Sequence, residues 1–116
     1  MEASKTNNPS MKLQVPVQLL EAVAPILEIQ GLDVDKALYL FIKTVAQINF
    51  IPSVVTNVGN SALVGGTRKE IQLYLPIEIQ SKAQAVFIAL GLSQNTAAAM
   101  FLKAVIDTKT LPFSVK

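Results

Sequence analysis

The chain is one unit written twice: residues 11–55 align with residues 71–115 without a gap, at a constant offset of 60. Laying Pro16 on Pro76 also brings Leu13 onto Leu73, Gly31 onto Gly91, Leu32 onto Leu92, Ala37 onto Ala97, Phe41 onto Phe101, Val45 onto Val105 and Pro52 onto Pro112. Most remaining pairs keep their polarity, as in Met11 with Ile71, Val15 with Leu75 and Leu40 with Met100. A repeated segment of this size is one supersecondary unit that cannot bury its apolar face alone. The expected organisation is a flexible N-terminus over 1–10, a first repeat over 11–55, a linker over 56–69 and a second repeat over 70–116. The two repeats together are expected to form one folded domain.

Each copy opens on alternation. Met11, Leu13 and Val15 are apolar against Ser10, Lys12 and Gln14, and Ile71, Leu73 and Leu75 are apolar against Glu70, Gln72 and Tyr74. That is the period of a strand with one buried face. Pro16 and Pro76 end these strands and suit the start of a helix, where a missing N–H costs nothing. Ile79, Ala83, Val86, Phe87 and Leu90 then recur at helical spacing, and Leu19, Val23, Ile26 and Leu27 do the same in the first copy. Pro25 predicts a kink in the first of these helices. Gly31 and Gly91, each followed by leucine, predict left-handed C-terminal caps. Asp33 and Ser93 are N-cap side chains for a second helix. Its apolar stripe contains Ala37, Phe41 and Val45, or Ala97, Phe101 and Val105, and is wide enough to require burial on several sides. Pro52 and Pro112 are expected to stop these helices, and the Gly65–Gly66 pair marks the linker.

Strand, helix, helix in one copy leaves a lone strand and too little core. Two copies solve both problems if the strands pair antiparallel into a ribbon with four helices packed beneath it. The same contacts serve whether the copies pair within one chain or are exchanged between two. The predicted fold is therefore mainly α with a two-stranded antiparallel ribbon.

Composition narrows the function. With 51% apolar and 16% charged residues the chain can fill a core, and with no cysteine and no histidine it lacks thiolate and imidazole ligands, disulfides and the usual nucleophile–base pairs. Neither a catalytic site, a metal nor a cofactor is expected. No apolar run approaches the roughly 20 residues of a membrane span, and the polar start does not resemble a signal peptide, so a cytoplasmic protein without membrane contact is expected. The net charge is +2, too small for a clear nucleic-acid footprint, and the basic residues cluster at Arg68 and Lys69, at the entrance of the second copy.

The run Leu13-Gln-Val-Pro-Val-Gln-Leu-Leu-Glu-Ala-Val resembles the strand-to-helix junction of ribbon-helix-helix proteins. Gly91-Leu-Ser-Gln-Asn-Thr-Ala, the apolar helix through Phe101 and Leu111-Pro112-Phe113 are similar to the second helix and exit of the RelB/DinJ antitoxin family. The resemblance implies a tandem ribbon-helix-helix pseudo-dimer in one chain, with homodimerisation a further option. It also implies a DNA-binding transcriptional regulator, a repressor within a toxin–antitoxin system whose partners are a double-stranded operator and a cognate toxin. Members of that family carry one copy per chain followed by a toxin-wrapping tail; here a second copy takes that place.

In such proteins the ribbon lies in the major groove and its outward side chains read base edges. Alternation assigns that role to Lys12, Gln14, Gln72 and Tyr74, with Arg68 and Lys69 supplying backbone contacts. The start of the second helix suits a phosphate, which nominates Ser93 and Asn95. Asp33 and Asp35 at the matching place would repel one, so the expected grip is asymmetric and led by the second copy. All four are explained as helix-start residues without a ligand, which is the stronger reading at that place, and an exposed ribbon face is polar in any soluble protein. The alternative reading is a protein-interaction platform with weak or no DNA binding.

Overall fold

The computed structural model describes residues 10–58 and 66–111. Along these the elements run β1 (Ser10–Pro16), α1 (Val17–Ile29), α2 (Val34–Ile48), α3 (Ser53–Thr56), β2 (Arg68–Tyr74), α4 (Ile77–Ala89) and α5 (Gln94–Thr108). Pro112 and Val115 lie outside the described residues, as do Gly65 and residues 1–9.

The two strands form a two-stranded antiparallel sheet whose register pairs Ser10 with Tyr74, Lys12 with Gln72 and Gln14 with Glu70. Met11, Leu13, Val15, Ile71 and Leu73 are buried beneath it, while Ser10, Lys12, Gln14, Glu70, Gln72 and Tyr74 are exposed. The alternation read from the sequence is thus the alternation of the pleat. β2 begins two residues earlier than expected, so Arg68 and Lys69 belong to the strand and not to the linker.

Pro16 and Pro76 sit at the N-cap positions of α1 and α4, both extended, and pass the chain straight from strand into helix. α1 continues through Pro25, which is exposed, as one helix of 13 residues. Both first helices end on glycine as predicted. Gly31 has φ +76° and Gly91 φ +74°. Leu32 N–H donates to Leu27 C=O at 2.9 Å and Gly31 N–H to Glu28 C=O at 3.0 Å. Leu92 N–H reaches Phe87 C=O at 2.8 Å and Gly91 N–H reaches Ile88 C=O at 3.0 Å. Each pair of bonds is a Schellman motif, which satisfies carbonyls the helix leaves open.

The second helices end differently from expectation. They stop at Asn49 and Lys109, both left-handed, whose N–H groups close on Val45 C=O at 2.8 Å and Val105 C=O at 2.7 Å. Pro52 comes three residues later and instead opens the short helix α3, which the sequence reading missed. α3 packs on α5, and its Val55 is fully buried.

The core lies between the ribbon and the helices. α1 packs mainly on α5, and α2 mainly on α4. Phe41 of α2 stacks on Phe101 of α5 with ring centroids 4.6 Å apart, and on Phe87 of α4 at 6.3 Å. Ala97 to Leu102 are buried without interruption, so α5 is enclosed all round there. α2 is less enclosed: Ala37, Leu38, Phe41, Ile42 and Val45 are fully buried, but Ile48 emerges at its end. No single described helix is long and apolar enough to cross a membrane.

Candidate nucleic-acid interface

The outer face of the ribbon carries three cross-strand pairs, Ser10–Tyr74, Lys12–Gln72 and Gln14–Glu70, with nothing packed over them among the described residues. Successive outward residues on one strand stand about 6.7 Å apart and the strands lie about 4.8 Å apart. The six side chains therefore form a compact, rigid strip held from below by Met11, Leu13, Ile71 and Leu73. Lysine, glutamine and glutamate on such a strip match the donors and acceptors of base edges in a groove that admits a two-stranded ribbon.

The two basic residues grouped by the sequence part company in the fold. Arg68 shares the outward parity, and its Nη1 donates to the carbonyl of Gln14 across the ribbon at 3.3 Å. Lys69 pairs with Val15 and belongs to the opposite face, where it lines a shallow recess with Leu20, Val34 and Asp35.

The starts of the second helices flank the ribbon, and they differ. On α5, Ser93 Oγ accepts from Thr96 N–H at 3.1 Å and donates to Thr96 Oγ1 at 3.0 Å, so this hydroxyl is used as a cap. Asn95 Oδ1 accepts from Gln14 N–H at 2.9 Å, and Gln94 Nε2 donates to Lys12 C=O at 2.7 Å. Two adjacent side chains thereby close the free edge of β1, and Gln84 Nε2 donates to Gln94 Oε1 at 3.1 Å from behind. Asn95 thus has one oxygen committed to the fold and retains its amide N–H groups. Gln94 was not among the predicted site residues; its signal was the polar residue standing where the first copy has Val34.

On α2, Asp33 Oδ1 accepts from Lys36 N–H at 2.7 Å as a helix cap. No bond equivalent to that of Asn95 runs from Asp35 to Tyr74 among the described residues. An open cleft of about 550 Å³ lies there instead, lined by Asp33, Asp35, Tyr39, Gln72 and Tyr74 among others. The carboxylates stand beside the β2 edge together with Lys36 in the same lining and Lys69 in the adjoining recess, so this flank carries mixed charge. Among the described residues no cluster of three or more carboxylates could hold a metal ion.

Comparison of the chain with protein-family models, with curated proteins and with solved structures finds no match. The functional reading therefore rests on the site itself.

Proposed function

We propose that this chain is a DNA-binding transcriptional regulator of the antitoxin type, a cytoplasmic protein whose ribbon enters the major groove of an operator. The observation that carries the reading is the uncovered outer strip of the ribbon, on which Lys12, Gln14 and Gln72 stand with base-edge chemistry over a fully packed support. In this reading the two repeats are a tandem ribbon-helix-helix pseudo-dimer forming one domain. Three features favour it. The register is centred on Lys12 and Gln72, which are equivalent positions of the two repeats. Equivalent Phe41 and Phe101 stack on each other. The helices of one repeat pack mainly on those of the other.

Arg68 supports the end of the strip by its bond to Gln14, whereas Lys69, on the opposite face beside Asp35, is assigned no DNA contact. Ser93 and Asn95 hold one flank in place with uncharged side chains, whereas the opposite flank sets Asp33 and Asp35 beside Lys36. The grip is thus led by the second repeat's helix start lying against the first repeat's strand. Control of an operon encoding a toxin follows from the family resemblance.

Fluorescence polarisation with a labelled duplex from upstream of the chain's own gene tests this, at low and at physiological salt. Binding that weakens with salt but survives at physiological strength supports the reading, since phosphate neutralisation makes affinity salt-dependent. Absence of binding at both salts defeats it.

A second reading, a protein-interaction platform binding a toxin or another chain, is favoured by one surface. Phe50 and Leu90 are 54% and 50% exposed beside a groove formed with Lys82, Ala85, Val86 and Ala89. The positions matching Phe50 and Leu90 in the other repeat, Thr110 and Gln30, are polar, although Ile29, which matches Ala89, is 87% exposed there. Co-purification with the product of the neighbouring reading frame, without DNA binding, would favour this reading over the first.

A further inference from the structure

We infer that the duplex recognised by the ribbon is not an inverted repeat but a directional site, read unequally by the two strands; this rests on the ribbon being the DNA-reading element. A ribbon made of two identical strands presents the same side chain at both ends and selects a palindrome, because operator symmetry mirrors protein symmetry. Here the register is centred on Lys12 opposite Gln72, and the offset of 60 carries Ser10 onto Glu70 and Gln14 onto Tyr74. All three outward positions differ between the strands, whereas the inward positions beneath them, Met11 against Ile71, Leu13 against Leu73 and Val15 against Leu75, stay apolar and buried. Divergence is thus concentrated on the face that would touch bases.

The chemistry of the two ends is unequal. Gln14 and Glu70 face each other at one end, where the amide pairs with an adenine edge and the carboxylate accepts from the amino group of a cytosine. Ser10 and Tyr74 face each other at the other end, where two hydroxyls accept more than one base. At the centre Lys12 donates to guanine and Gln72 pairs with adenine. Discrimination therefore concentrates from the centre toward the Gln14–Glu70 end, whose outer boundary is braced by Arg68. The flanks differ as well: the β1 edge is joined to the uncharged start of α5, and the β2 edge lies beside Asp33, Asp35 and Lys36.

Selection of duplexes from a randomised library by the full chain tests the inference. The expected outcome is an enriched site without inverted repetition, in which strict positions lie to one side of the centre. Reversing the orientation of one half of that site should lower affinity about tenfold, the scale of losing one good base contact. The variant E70S/Q72K/Y74Q gives both strands the outward residues Ser, Lys and Gln at exposed positions, and should select an inverted repeat. A palindrome enriched by the unaltered chain overturns the inference while leaving DNA binding intact. Binding without any enriched sequence also overturns it, because the ribbon would then not read bases. No binding to any duplex overturns the DNA reading on which it rests.

Discussion

Phe41 and Phe101, equivalent positions of the two repeats, stack with centroids 4.6 Å apart and planes 12° from parallel, and both are fully inaccessible to solvent. One repeat's core is therefore completed by the other's. Phe41→Ala and Phe101→Ala should each destabilise the chain by about 3–5 kcal/mol, through lost burial and the cavity left behind. Such a loss is a large part of the roughly 5–15 kcal/mol that stabilises a typical domain. Urea unfolding at one wavelength for both repeats should show a single transition, shifted as a whole in either variant.

The glycines after α1 and α4 are needed for their backbone angles and not for space, since a Cβ at Gly31 or Gly91 would meet nothing within 4 Å. Gly31→Ala and Gly91→Ala should each cost about 1–2 kcal/mol, the penalty of a left-handed conformation for a residue with a side chain. Gly→Asn at the same places should cost less, because asparagine tolerates that region. Thermal unfolding followed by circular dichroism measures the order.

Gln80 is the one buried polar residue among those described, and its Nε2 donates to Leu75 C=O at 3.0 Å where strand turns into helix. Gln80→Leu removes a polar group from the core yet should destabilise by about 1–3 kcal/mol, because the carbonyl of Leu75 is left without that donor. Its counterpart in the first repeat is Leu20, which is only partly buried. Leu20→Ala should be the milder of the two changes in the same unfolding assay.

Much of this architecture was legible in the chain. Strand alternation, the Gly-Leu caps and the Asp33 and Ser93 caps are local devices, in which residues a few positions apart satisfy each other's backbone groups. The helix end at Asn49 carried a readable signal, since asparagine tolerates left-handed angles, whereas the end at Lys109 carried none, because such angles are sparsely populated for a lysine. Helix α3 was missed because a turn of four residues has no periodicity to read. The ties from Gln94 to Lys12 and from Asn95 to Gln14 span 82 and 81 positions, and no spacing rule connects residues so far apart. Of the candidate site, alternation located the outward residues of the ribbon; which edge was closed and which left open depended on those long-range bonds.

The two ribbon edges should differ in solution. The amide of Gln14 is held by Asn95, whereas the equivalent amide of Tyr74 has no such side-chain partner among the described residues. Hydrogen exchange at Gln14 should therefore be slower than at Tyr74, and Asn95→Ala should bring the two closer together. The same substitution should reduce stability by about 1 kcal/mol, the net worth of one hydrogen bond.

The reading of the ribbon as a DNA-contacting surface is tested most directly by the double variant Lys12→Ala/Gln72→Ala, compared with the unaltered chain in fluorescence polarisation on one duplex at one salt concentration. Both side chains are exposed and central on the strip, so thermal unfolding should be nearly unchanged while affinity for the specific duplex falls about tenfold or more. Unchanged affinity in a folded double variant would contradict the account.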